Sequence, residues 1–353
     1  MKNKIFILVL ILSTLFVSVG ALASASENTS YIVIEESTGR VLAEYNKDAK
    51  LPIASTTKIV TASVVLENCD ISEEVTIPDD AVGVEGSSIY LKAGDNYTVE
   101  DLLYGLMLRS GNDSAVALAI HTAGSVDAFV DLMNEKACAL GAINTHFTNP
   151  HGLHDSDHYS SAYDMAILTA NAYKNETFKK IVSSKRYLLK GNYIYNKNKM
   201  LSMYEGADGV KTGYTTKSGR CLVSSSVKDD MRVICVVLNC YDMWNKSISL
   251  MDTAHKDYDM VTLVSTNDTI ETSVIKGEEN LVKGSVQKDL KYPLKQSEIS
   301  KVTYSLDSYD LVAPVYKGTI CANIKVCFDN RLIFDENIYT INNVKRKSIL
   351  NWL

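Results

Sequence analysis

The 353-residue sequence has no C-x-x-C pair, although seven cysteines are spread from Cys69 to Cys327. An odd count at irregular spacing in a chain this long excludes the disulfide framework of a small secreted domain. Most of the seven stand in apolar settings, as Cys235 does within Val233-Ile234-Cys235-Val236-Val237, and read as core residues. Only a bridge between Cys321 and Cys327 stays open at this level. A surplus of one charge is also missing, since the formal net charge is −6 with both signs interspersed. Without a basic stripe there is no electrostatic case for a nucleic-acid partner. No internal repeat is present, which sets aside solenoids and arrays.

What is there begins with an N-terminal apolar run. Lys2 and Lys4 precede Ile5 to Val19, and small residues follow at Ala21-Leu22-Ala23 and Ala23-Ser24-Ala25. This is the build of a secretory signal peptide, expected to cover residues 1–25 and to be cleaved. The rival is an uncleaved anchor, because the run approaches spanning length. Both readings place the remaining chain outside the cytoplasmic membrane, where its length allows two domains.

Residues 31–46 read as a hairpin around Ser37-Thr38-Gly39-Arg40. Pro52-Ile53-Ala54-Ser55-Thr56-Thr57-Lys58 then opens an apolar run from Ile59 to Leu66 that reads as a buried helix. Residues 76–97 are loop-rich, and Thr98 with Asp101 starts a helix running to Leu108. Arg109-Ser110-Gly111-Asn112-Asp113 separates it from a second apolar helix. Further helices are expected over 126–140, 161–173 and 246–260, and strands over 209–214, 221–226 and 231–239. Strands, then helices, then strands predict an α+β domain over 27–265, with one antiparallel sheet and helices packed against it. A smaller all-β, sandwich-like domain is expected over 270–341, with alternation on both sides of Asp329-Asn330.

Ser55 falls in the first turn of the buried helix, and Lys58 shares its face three residues later. A hydroxyl becomes nucleophilic when a base takes its proton, and a desolvated lysine is such a base. The pattern alone is weak, since it recurs at Ser225/Lys228 and Ser285/Lys288 in turn-like, polar sequence. Ser110-Gly111-Asn112 and Lys211-Thr212-Gly213 strengthen it: their order, each in suitable local structure, is that of active-site serine penicillin-recognising enzymes.

With Asn149-Pro150-His151-Gly152-Leu153 and Gly209 to Thr215 added, the chain resembles the serine-type D-alanyl-D-alanine carboxypeptidases, the low-molecular-mass penicillin-binding proteins. The resemblance covers nearly the whole chain. It implies a penicillin-recognising, transpeptidase-like catalytic domain that removes the terminal D-alanine of peptidoglycan stem peptides and is acylated by β-lactams, without metal or cofactor. Residue by residue, it implies that Ser55 attacks, Lys58 takes its proton and Ser110 relays a proton to the leaving amine. It further implies that Asn112 binds the substrate backbone, that Lys211 and Thr212 receive the carboxylate, and that the strand continues through Gly213 to Tyr214. The N–H groups of Ser55 and Tyr214 would form the oxyanion hole. Members often carry an arginine after the third motif; its nearest counterpart here is Lys246.

Three rival readings compete with this one. A zinc peptidase would use His151, His154, Asp155, Asp157 and His158, but these lie in a polar loop. A β-lactamase needs a carboxylate-activated water, and no Glu-x-x-Leu-Asn segment lies between Asn112 and Lys211. A non-catalytic wall-binding protein would not need the intact Ser55, Lys58 and Lys211. Last, residues 342–353 combine Lys345-Arg346-Lys347 with Ile349, Leu350, Trp352 and Leu353. This tail predicts weak peripheral membrane contact, against the alternative that it folds back or frays.

Overall fold

Met231–Leu238 is apolar but for Arg232, too apolar for a strand with one wet face. The computed structural model, which describes residues 29–348, places this segment (β9) in the middle of a five-stranded antiparallel sheet. Its neighbours are β1 (Ser30–Glu35) and β8 (Gly219–Lys228); β2 (Val41–Tyr45) and β7 (Ala207–Thr215) form the edges. The two ends of the domain therefore meet in one sheet, with Ser30 opposite Leu238 and Glu35 opposite Val233. Alternation sorts β9 between two cores. Ile234, Val236 and Leu238 join the larger core, while Val233, Cys235 and Val237 face a smaller one.

The larger core is built from α1 (Lys58–Asn68), α2 (Val99–Tyr104), α3 (Asn112–Ala123), α4 (Val126–Ala139), α5 (Ala162–Ala172) and α6 (Glu176–Ser183). A short ladder of β3 (Glu74–Thr76) with β4 (Asn96–Thr98) ties the ends of the loop-rich stretch. The expected capping box at Thr98 and Asp101 is formed, and Ser125 caps α4. Between α6 and β7 lie a hairpin, β5 (Arg186–Leu189) with β6 (Asn192–Tyr195), and the one-turn α7 (Met200–Met203). The smaller core is closed by α8 (Met243–Asp257), which starts three residues ahead of the expected helix.

The sheet partners change directly after α8, earlier than the boundary expected between 265 and 270. The next strand, β10 (Asp259–Val264), pairs with no catalytic strand but with β13 (Leu290–Leu294). The remaining strands, β11 (Ile270–Ile275), β12 (Leu281–Ser285), β14 (Val302–Ser308), β15 (Leu311–Val312), β16 (Ile320–Phe328) and β17 (Arg331–Thr340), make a six-stranded sheet. Asp329 and Asn330, both at positive φ, turn β16 into β17 as a two-residue hairpin loop requires.

All seven cysteines are free. Cys321 and Cys327 sit six positions apart on β16, about 20 Å along an extended strand, so a bridge between them is excluded. The expected signal peptide lies outside the described residues, as do 349–353 of the tail. Residues 342–348 are described: Val344 is buried against Val274, Val282 and Val315, and Lys345, Arg346 and Lys347 are exposed.

Candidate active site

Ser55 stands on a single helical turn, Ala54–Thr57, that leads straight into α1. Ala54 is buried at φ 48°, a left-handed backbone that lifts the turn out of the helix axis. Two glycines press on it from opposite sides. A Cβ on Gly152, which has φ +85°, would lie 2.0 Å from the Ala54 carbonyl oxygen. A Cβ on Gly213 would lie 3.0 Å from the Ile53 oxygen and 3.1 Å from the Ser55 nitrogen. Only residues without a side chain let the 149–153 loop and the edge strand β7 close on the serine this tightly.

Lys58 is fully buried below the serine. Its Nζ lies 3.1 Å from Ser55 Oγ, 2.6 Å from Asn112 Oδ1 and 2.6 Å from the His151 carbonyl oxygen. Burial holds its pKa well below the ordinary lysine value, and the Lys211 and Lys197 charges push the same way. Lys211 is buried too, donates to the Thr212 carbonyl oxygen, and is brought down to about 7 by desolvation with Lys197 adding to the effect.

Ser110 reaches the cleft because the end of the α2 segment widens into a π-helical turn, Gly105–Arg109, and Ser110 itself is left-handed at φ 66°. The following Asn112 begins α3. Its Oδ1 accepts from Lys58 and its Nδ2 donates to the Glu85 carbonyl oxygen, so this side chain orients the lysine and does not line the cleft. Ser55, Ser110, Thr212, Gly213 and Tyr214 do line it, in a cleft of about 750 Å³.

The sequence pattern missed several participants. Lys58's third partner is a backbone carbonyl, invisible to side-chain patterns. Lys246 does not reach the cleft; its Nζ lies 4.3 Å from the centre of the Tyr31 ring. Arg220, opposite Tyr214 on β8, does line the cleft, with its guanidinium 4.9 Å from the centre of the Tyr241 ring. Lys197 also lines the cleft and donates to Ser87 Oγ at 3.0 Å.

The histidine-rich loop is committed elsewhere. His158 Nδ1 accepts from the Thr148 N–H at 3.1 Å, which leaves Nε2 as the protonated nitrogen facing Thr57 Oγ1 at 2.8 Å. Burial takes its pKa down to about 4, and that of His151 to about 3, so both are neutral rings packed near the start of α1. No carboxylate is among the described residues lining the cleft. Asp113, the nearest in sequence, accepts from Ser88 Oγ and the Ile89 and Leu91 N–H groups.

A family model described as D-alanyl-D-alanine carboxypeptidase matches residues 18–242, and one described as penicillin-binding protein 5, C-terminal domain, matches 258–346. The chain is 32% identical over 345 residues to the D-alanyl-D-alanine carboxypeptidase DacF of Bacillus subtilis, covering 93% of this chain and 89% of that protein. Penicillin-binding protein 5 from Haemophilus influenzae is similar in structure, with a TM-score of 0.73 at 30% identity over 90% of this chain and 97% of that one. For a peptidoglycan synthesis regulatory factor from Streptococcus pneumoniae the TM-score is 0.78 at 28% identity, covering 89% and 98%. A serine, a buried lysine and an edge strand thus stand together in a chain that belongs to the D-alanyl-D-alanine carboxypeptidase family.

Proposed function

We propose that this protein hydrolyses the terminal D-alanyl-D-alanine bond of peptidoglycan stem peptides through an acyl-enzyme on Ser55. The observation that carries the reading is the set of partners around Lys58 Nζ. Two of them, the Asn112 amide oxygen and the His151 carbonyl oxygen, can only accept. A neutral amine has two protons and one lone pair. With both protons donated to those oxygens, the lone pair is left for the Ser55 hydroxyl proton.

In this reading Ser55 Oγ adds to the carbonyl carbon as its proton passes to Lys58. The oxyanion is held by the N–H groups of Ser55 and Tyr214. Ser110 hands a proton to the leaving amine, D-alanine departs, and water releases the shortened peptide. Lys211, Thr212 and Arg220 receive the terminal carboxylate, Arg220 supplying the further cation that Lys246, turned to Tyr31, does not. The same cleft takes β-lactams. With no carboxylate at hand to activate water, the penicilloyl ester is expected to be long-lived, unlike that of a β-lactamase.

The protein works outside the cytoplasmic membrane after removal of residues 1–25, with contact to the membrane through the tail. The test is the intact mass of the exported protein before and after benzylpenicillin, followed by identification of the modified peptide. A single penicilloyl adduct on Ser55, with labelling and D-alanine release both lost in Ser55→Ala, is the expected result. An adduct elsewhere would sink the mechanism, and an unprocessed N-terminus would sink the cleavage.

A further inference from the structure

A second groove, of about 390 Å³, runs along the β5–β6 hairpin and is lined by Tyr90, Tyr97, Tyr193 and Tyr195. Three of these rings are strongly exposed: Tyr90 at 84%, Tyr195 at 58% and Tyr193 at 51%. Single exposed aromatics are ordinary, but several converging on one groove mark a binding surface. Tyr90 is also held at φ 64°, a left-handed backbone that bulky side chains avoid. The loop is fixed there by Asp113, which accepts from Ser88 Oγ and from the N–H groups on both sides of Tyr90. The presentation of this ring to solvent is therefore built in.

The groove borders the catalytic cleft. In three separate segments, one residue lines the cleft and a near neighbour lines the groove: Ser87 and Ser88, Ser110 and Arg109, Lys197 and Tyr195. Two nearby cations lie over ring faces, Lys190 4.8 Å from the Tyr97 centroid and Arg186 4.7 Å from that of Tyr193, and Arg109 also lines the groove. Flat aromatic faces beside amide and ammonium donors suit the apolar CH face of a pyranose and its hydroxyl and acetyl groups.

We propose that this groove binds the N-acetylated sugar chain that carries the stem peptide, so that the enzyme recognises its substrate at both ends. The proposal rests on the carboxypeptidase reading, and the experiment separates the two. D-alanine release is measured from a free pentapeptide and from the same pentapeptide attached to its N-acetylated disaccharide. Attachment of the sugar is expected to lower KM about fivefold with kcat little changed, as one or two aromatic contacts would give. Tyr193→Ala and Tyr90→Ala should bring the two substrates to parity, while free pentapeptide kinetics and benzylpenicillin acylation stay at wild-type level. Equal KM values in the wild-type protein, or a preference kept in both variants, overturn the groove and leave the catalytic reading standing. If neither peptide is cleaved, the catalytic reading fails, and a direct titration decides the groove. N-acetylglucosamine tetrasaccharide, added to the full chain, should bind saturably to wild type and not to Tyr193→Ala. Absence of saturable binding overturns the proposal.

Discussion

In the proposed mechanism two lysines buried beside the cleft are needed in opposite protonation states. There Lys58 acts as a base when neutral, and burial, with the Lys211 and Lys197 charges, pushes it that way. Lys211 grips a carboxylate when charged, yet burial brings it to about 7. The free enzyme therefore loses this cation as pH rises through neutrality. We expect kcat/KM to fall above about pH 7, because that ratio reports the free enzyme. The bound carboxylate restores the proton to Lys211, so kcat at saturation should move less than KM. Profiles of both parameters from pH 5.5 to about 9 check this, and a KM flat across that range would refute the assignment. Stability follows the opposite slope. Between about 7 and the ordinary lysine value the unfolded chain holds a proton on residue 211 that the folded chain lacks. Its burden on folding accordingly eases as pH rises through that window.

The elements around the serine are held by contacts that leave little or no room for a Cβ. The helical turn at Ala54–Thr57 is clamped between the 149–153 loop and β7, with Gly152 and Gly213 as the two faces of the clamp. Gly152→Ala meets both a backbone clash and a left-handed φ, which together should cost about 3 kcal/mol. Denaturant melts should show that loss, and benzylpenicillin acylation of the folded fraction should slow as Ala54 is displaced. Wild-type stability in this variant would mean the loop simply moves aside. The sequence made Ser55, Lys58, Ser110 and the Lys211–Tyr214 strand legible because each is a side chain, or an edge-strand position, in a spaced motif. It could not reveal Lys58's bond to the His151 carbonyl, since backbone oxygens leave no pattern. Lys246, on α8, stood close in sequence but turns to Tyr31 of β1, whereas Arg220 enters through the pairing of β7 with β8. β10 escaped the second domain for a related reason: its partner β13 lies about thirty residues downstream, beyond any local signal.

At the scale of the whole molecule, the two domains are joined by more than the chain. Arg40, in the turn of the first hairpin, inserts its guanidinium among Phe328, Tyr292 and Tyr258, 4.5, 5.1 and 5.2 Å from their ring centres. It also pairs with Glu298 at 2.8 Å and donates to the Pro293 carbonyl oxygen. A cation held between rings and a carboxylate, with little water near it, resists rotation of one domain against the other.

The tail belongs to the second of these joined domains. Val344 pairs with Val315 and is buried, and the Lys347 N–H donates to the Lys276 carbonyl oxygen. Removing everything after Asn342 would therefore strip packing from the β-domain, and any loss of membrane binding would be ambiguous. Cutting after Ser348 leaves those contacts and the exposed Lys345, Arg346 and Lys347 in place, and takes away Ile349, Leu350, Trp352 and Leu353. Basic residues alone contribute about 1 kcal/mol each at an anionic surface, and that contribution is screened by salt. Apolar insertion is not screened in this way. The full mature chain should sediment with anionic vesicles at both low and moderate salt, and the chain ending at Ser348 only at low salt. Equal salt dependence for the two would show that the last five residues do not enter the bilayer surface. Binding by neither chain would remove the tail as a membrane contact altogether.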